Sequence, residues 1–299
     1  MSILPTPVAE PVGSAPAAPG RSRLLARVWR DRNGRIGLAV IMLLVVIAVL
    51  GAFGVLPNDP IAQHPAARLQ GPSGRYWFGT DQFGRDIAAR AAVGIWTSLR
   101  VAAVSVAVAA VIGSILGISA GFFRGWVDQV VSRFVDILFA FPAILLALAV
   151  VSALGSGWQN TAIAIAVVYT PIFARVSRGP TLAVGASEYV KAQRVLGTPL
   201  PRILLRHVLP NVSAPIIVQV TLALSWAILT ESALSFLGLG TRPPTPSLGL
   251  MVSEARNTVA DAWWTLTFPA LAIVVAVIAL NLLGDGLRSA LDPRRDSRP

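Results

Sequence analysis

The chain lacks cysteine altogether. Disulfides, thiolate metal sites, iron–sulfur clusters and cysteine nucleophiles are therefore excluded. Lysine occurs once, at Lys191, beside twenty-four arginines. A phosphate-binding P-loop needs a Gly-Lys-Ser/Thr run, and Val190-Lys191-Ala192 is not one, so the chain cannot hydrolyse ATP by that route. The two histidines, His64 and His207, open no H-E-x-x-H and fall on opposite sides of the topology derived below, which speaks against a zinc site. Charge is the fourth scarcity. Only 13% of residues are charged, about half the roughly 25% of a soluble domain. A chain of 299 residues with so few charges cannot cover itself with a water-soluble surface.

What is present is apolar sequence, 55% of the chain, with mean hydropathy +0.68. Uncharged runs of about 20 residues match the hydrocarbon thickness at 1.5 Å per helical residue. The first is residues 36–56; its length and the long basic segment before it argue against a cleaved signal peptide. Further spans are expected at about 101–123, 137–153, 160–178, 211–237 and 262–284. The 38 uncharged residues 137–174 are too long for one span, and Leu154-Gly155-Ser156-Gly157 supplies the break. The expected order is a proline-rich disordered tail at 1–20, a basic segment at 21–35, the first span, an extracytoplasmic loop at 57–100, a core at 101–293 and a tail at 294–299.

Six spans put both termini on one side. The segments sharing that side hold 18 of the Lys and Arg residues, the others 7. By the positive-inside rule the termini, the 124–136 connection and the 175–210 loop are cytoplasmic. The net charge of +11 is then almost wholly topological, and no nucleic acid is needed to explain it. Membrane lipid is the expected surrounding.

Ala109, Gly113, Gly117 and Gly121 recur at steps of four and put small residues on one helix face, a sign of close helix packing. Gly117-Ile118-Ser119-Ala120-Gly121 matches the serine-hydrolase pattern G-x-S-x-G, but it lies inside an apolar helix instead of a strand–turn–helix. Glu231 is the single acid inside a span, close to the outer boundary where water can reach. It is a candidate pathway or gate residue, or a hydrogen-bonded structural acid.

The loop 185–210 carries the most information. Ser187 to Leu196 reads as a short amphipathic helix with Tyr189, Ala192, Val195 and Leu196 on neighbouring faces. Gly197 is its C-cap, and Pro199 and Pro201 forbid simple continuation. Ile203 to Leu209 is a second amphipathic stretch ended by Pro210. Such a pair is either a lever for a partner's groove or a basic loop on lipid headgroups.

Lys191-Ala192-Gln193-x-x-x-Gly197 with His207-Val208-Leu209-Pro210 resembles the EAA loop of ABC importer permeases, with Lys191, Gln193 and His207 departing from the usual residues. Gly79-Thr80-Asp81-x-x-Gly84-Arg85-Asp86 resembles a segment of the dipeptide/oligopeptide permease family, as do Arg124-Gly125-Trp126-Val127-Asp128, Glu231-Ser232-Ala233-Leu234-Ser235-Phe236-Leu237-Gly238 and Asn281-x-x-Gly284-Asp285-Gly286. The resemblance spans about residues 22–293 and points to the C-type subunit; nickel permeases share these motifs.

This resemblance implies an all-α integral membrane protein, with six helices of the type I ABC importer (MetI-like) permease fold. It implies a homologous B-type permease as partner, one or two ABC ATPase subunits that bind ATP and Mg, and an extracytoplasmic peptide-binding protein. It implies no catalytic residue and no cofactor in this chain. Glu188, Tyr189, Lys191, Ala192, Gln193, Leu196 and Gly197 are the expected ATPase-coupling residues, and Gly113, Gly117 and Gly121 the expected packing residues. An ion-driven secondary transporter is the alternative from another class, disfavoured by the want of an intramembrane Asp/Glu/His relay.

Overall fold

A computed structural model describes residues 28–291 of the chain. The expected tails at 1–20 and 294–299, residues 21–27 of the basic segment, and Asp292-Pro293 lie outside the described residues. Among those described, helices are the regular structure, joined by loops of which 53–86 is the longest, with one isolated antiparallel bridge, Thr80 to Asp86. Five helices are long and apolar enough to cross a membrane, and a sharply bent pair supplies a sixth crossing when taken as one.

The first helix, α1, is Arg32–Ala52. Asp31 caps it by accepting from the backbone N–H of Asn33 and Gly34, both at 3.1 Å. Helix α2, Ile87–Phe123, runs 37 residues, about 55 Å at the helical rise. It starts fourteen residues before the expected span at 101. Asp86 caps it, accepting from Ala88 N–H at 3.0 Å, and the charges of the expected loop are partnered in space. Arg90 reaches Glu254, and the Arg100 guanidinium stacks 4.0 Å over the Trp158 ring. The expected loop 57–100 therefore ends at Asp86.

The expected connection at 124–136 and span at 137–153 are also redrawn. Helix α3, Gly125–Phe139, and helix α4, Ala143–Leu154, meet at a bend of 92°. The cause is Pro142, whose ring and missing N–H forbid a continuous helix across Ala140-Phe141. Asp128 is accommodated in α3 because Arg178 holds it bidentately, at 2.5 and 2.7 Å.

Helix α5 is Trp158–Gly185. A short α6, Glu188–Val195, precedes α7, Leu200–Phe236. Pro210 was expected to end the second amphipathic stretch, yet α7 runs through it. One π turn, Leu204–Val208, widens the helix so that Leu209 N–H bonds Leu204 C=O, and Pro210 falls in the first turn after it, where its missing N–H costs least. Helix α8, Leu248–Ala255, and α9, Trp264–Leu291, complete the chain.

Helices α2 and α5 form the most extensive packing pair. They run parallel and in step: a Cβ on Gly113 would strike the Thr170 carbonyl, one on Gly117 the Ala174 carbonyl, and one on Gly121 the Arg178 carbonyl. The partner positions advance by four, as the glycines do. Absent side chains let the two backbones touch over two turns. Around this seam Val101, Val106, Ile165, Phe173, Ile228 and Leu234 are buried in one core joining α2, α5 and α7.

Candidate functional site

The 185–210 region projects α6 from the body on two fixed points. The first is Val190, fully buried with Ile203, Val208, Val212 and Phe122. The second is the helix end. Gly197 takes φ +70°, its N–H bonds Arg194 C=O at 3.0 Å, and Thr198 N–H bonds Gln193 C=O at 3.1 Å. This is a Schellman closure, and its left-handed residue favours glycine. Pro199 then holds an extended conformation and starts α7.

With Val190 turned inward, the rest of α6 faces outward. Val195 is 87% exposed and Leu196 75%, with Tyr189 and Ala192 exposed beside them. The Tyr189 hydroxyl accepts from Asn211 Nδ2 at 3.4 Å, and its ring lies 6.1 Å from His207. Gln193 is half-buried, its Oε1 accepting from Thr198 Oγ1 at 2.8 Å. Glu188 and Lys191 pair with each other at 2.8 Å on the open surface, where such a pair contributes at most about 1 kcal/mol. Arg194 is held over the Phe122 ring at 4.3 Å. Glu188, Tyr189, Lys191, Ala192, Gln193, Leu196 and Gly197 thus share one small protrusion. Sequence reasoning passed over Val190 as the anchor, and placed Val195 on the amphipathic face without counting this most exposed apolar group among the coupling residues. Burial at i and exposure at i+5 have no sequence signal in so short a helix. The arrangement offers an apolar face with cations around it, suited to binding.

The opposite end is built on Gly79-Thr80-Asp81 and Arg85-Asp86. Gly79 and Gly84 take φ +74° and +72° and fold the segment back on itself. The Thr80 hydroxyl donates to Ala67 C=O, and Trp264 Nε1 donates to Thr80 C=O at 3.1 Å. Arg85 Nε bonds Asp81 Oδ2 at 2.6 Å, and its Nη2 bonds Glu254 Oε2 at 2.9 Å. Arg90, 1% exposed, donates to the same Glu254 oxygen at 2.8 Å. Two guanidiniums and two carboxylates balance within one buried cluster. It fixes α8 and the 57–86 segment to the head of α2. Neither Arg90 nor Glu254 stood out in the sequence, because their contact spans 164 residues.

Glu231 does not meet water. It is fully buried in α7, accepting from Ser98 Oγ and Ser235 Oγ, both at 2.7 Å. Water access at this turn is what differs from expectation: α2 covers it, and two serines supply the donors that water would have supplied. Ser119 lies within helical α2, without the strand–turn–helix a nucleophile elbow requires. Among the described residues no cluster of acids and histidines is composed to hold a metal ion.

Comparison with known proteins agrees with this architecture. Residues 113–297 match the family described as binding-protein-dependent transport system inner membrane component. The dipeptide transport system permease protein DppC of Alkalihalophilus pseudofirmus is 44% identical, over 90% of this chain and 88% of its own. The glutathione transport system permease protein GsiD of Pectobacterium atrosepticum is 43% identical, over 93% and 95%. The di/tripeptide transport system permease protein DppC of Pseudomonas aeruginosa is 42% identical, over 90% and 92%. Among solved structures, a chain of the MetNI methionine ABC transporter in an inward-facing conformation superposes with TM-score 0.57 at 19% identity, covering 67% of this chain and 95% of that one. That likeness is one of fold, the MetI-type permease. The chain is thus a multi-pass membrane protein and belongs to the peptide ABC importer permease family, as a permease subunit of a binding-protein-dependent transport system.

Proposed function

We propose that the chain moves dipeptides or oligopeptides into the cytoplasm and is driven by ATP hydrolysed, with Mg, on separate ABC ATPase subunits that grip α6. The outward apolar face of α6 carries this reading. Val195 and Leu196 are solvent-exposed on a helix pinned by Val190 and closed by Gly197. An exposed apolar knob on a rigid post transmits force, because displacing it must displace α7. ATP-driven closure of the ATPase subunits would then switch the pathway between two states.

In this reading the 185–210 loop and both termini face the cytoplasm, in keeping with the arginine distribution. The membrane is the bacterial inner membrane. The 57–86 segment and α8 face the outside, where a peptide-binding protein delivers substrate, and a homologous B-type permease completes the pathway. The relatives' names support peptides over nickel chelates as cargo.

Gly197→Pro tests the coupling. Proline cannot take φ +70° and has no N–H for Arg194 C=O. The variant assembly should co-purify with its ATPase subunits yet lose substrate-stimulated ATP hydrolysis. Unchanged stimulation overturns the assignment. Uptake of nickel but not alanylalanine by the unsubstituted assembly would replace the cargo.

A further inference from the structure

Two cavities lie end to end along one face of α7. The first, about 320 Å³, sits at the α3–α4 bend and is bordered by Phe141, Tyr169, Leu222 and Trp226. The second, about 360 Å³, lies nearer the 185–210 end and is bordered by Val176, Pro215, Val218 and Arg288. Gln219 and Leu222 border both, so the two form one groove. Its floor on α7 is Pro215, Val218, Gln219, Leu222 and Trp226, the spacing of one helix face. Its wall on α5 is Val168, Tyr169, Ile172 and Val176, again one face.

Resting on the peptide-import reading above, we infer that this groove is this subunit's wall of the peptide path, with Gln219 as its polar rung near mid-span. Gln219 is half-buried in the middle of the uncharged run 211–230, and its amide makes no hydrogen bond among the described residues. An amide facing lipid there is costly. One facing a hydrated route serves a cargo of peptide groups, each with a donor and an acceptor. Trp226, 61% exposed, offers a large amphipathic surface above it. The Tyr169 hydroxyl is already engaged, 3.2 Å from Thr230 Oγ1, which in turn donates to Trp226 C=O at 2.9 Å. The Tyr169 hydroxyl is thereby turned to Thr230 and its ring lines the side of the groove, while Gln219 keeps both amide functions for cargo.

A larger cavity of about 570 Å³ between α2, α3 and α5 is the contrast. Ile112, Leu116, Phe134 and Leu138 border it, and its one polar side chain, Thr170, donates to its own helix at Ala166 C=O. Nothing there addresses a peptide.

The chain's freedom from cysteine makes the test direct. The full transporter, its partner chains also freed of cysteine, is reconstituted in vesicles with Gln219→Cys, Trp226→Cys or Ile112→Cys. A charged methanethiosulfonate should modify Gln219→Cys on the order of tenfold faster than Ile112→Cys, since a charged reagent is disfavoured in an apolar cavity. Excess alanylalanine should slow the reaction severalfold. Trp226→Cys carries the same test if Gln219→Cys does not assemble. Equal rates at the Gln219 and Ile112 variants, or rates indifferent to peptide, overturn the inference. ATP-driven uptake of labelled alanylalanine by the unsubstituted assembly is measured alongside. Uptake without protection overturns the groove alone, and absence of uptake overturns the import reading and the groove with it.

Discussion

Arg90 and Glu254, 164 residues apart in sequence, meet at 2.8 Å, and Glu254 presents the same oxygen to Arg85 at 2.9 Å. One carboxylate oxygen thus serves two guanidiniums, while Asp81 balances the second positive charge at 2.6 Å from Arg85 and 3.5 Å from Arg90. The cluster joins three distant segments, the 79–86 fold-back, the head of α2 and α8. Its stability is conditional on complete charge balance, because any member left alone is a poorly solvated charge.

Glu254→Gln removes half the negative charge facing two shielded cations. Breaking such a pair costs about 3 kcal/mol, which should appear as a lowered thermal unfolding midpoint of the detergent-solubilised protein. Adding Arg90→Met restores neutrality through Arg85 and Asp81. The double variant should therefore be less destabilised than the two single losses combined, and simple additivity would show that the residues do not act as a unit.

Gly117 lies against the Ala174 carbonyl and the Ser177 hydroxyl across the α2–α5 seam. Gly117→Val forces the backbones apart at their closest approach and should cost about 2 to 3 kcal/mol. Gly179 has open space around its Cβ position, so Gly179→Val is the matched comparison and should leave the unfolding midpoint nearly unchanged. Equal effects at the two sites would remove the glycine stripe from the packing account.

Glu231 separates two roles by chemistry. Glu231→Leu leaves the Ser98 and Ser235 hydroxyls without their acceptor in a buried site, at about 1 to 3 kcal/mol for each. Glu231→Gln keeps an acceptor oxygen and should retain most of the stability and transport. A Gln variant with an intact unfolding midpoint but no transport would assign Glu231 to the gate.

The gross plan was legible because bilayer crossing is a local demand: an uncharged run of sufficient length must be a helix in lipid. The glycine stripe was legible for the same reason, since a period of four is written in neighbouring residues. The helix stop at Gly197-x-Pro199 is likewise local chemistry. Charge and proline are weaker marks of a boundary. Arg90 and Arg100 did not end α2, because Glu254 and Trp158 receive them. Pro210 did not break α7, because a π turn precedes it. Pro142, which passed as part of an uncharged span, produced the 92° bend.

By itself the sequence determined that the chain lives in a membrane, cannot carry its own P-loop ATPase and bears a short amphipathic helix between two spans, all of which follow from composition and nearest-neighbour spacing. The tertiary structure alone decided which face of α6 is free, that Glu231 is sealed between α2 and α7, that four charges from three segments neutralise one another, and that Gln219 borders a groove. Each of these depends on what another helix places opposite a residue, and burial, pairing and access are properties of that opposition instead of the residue.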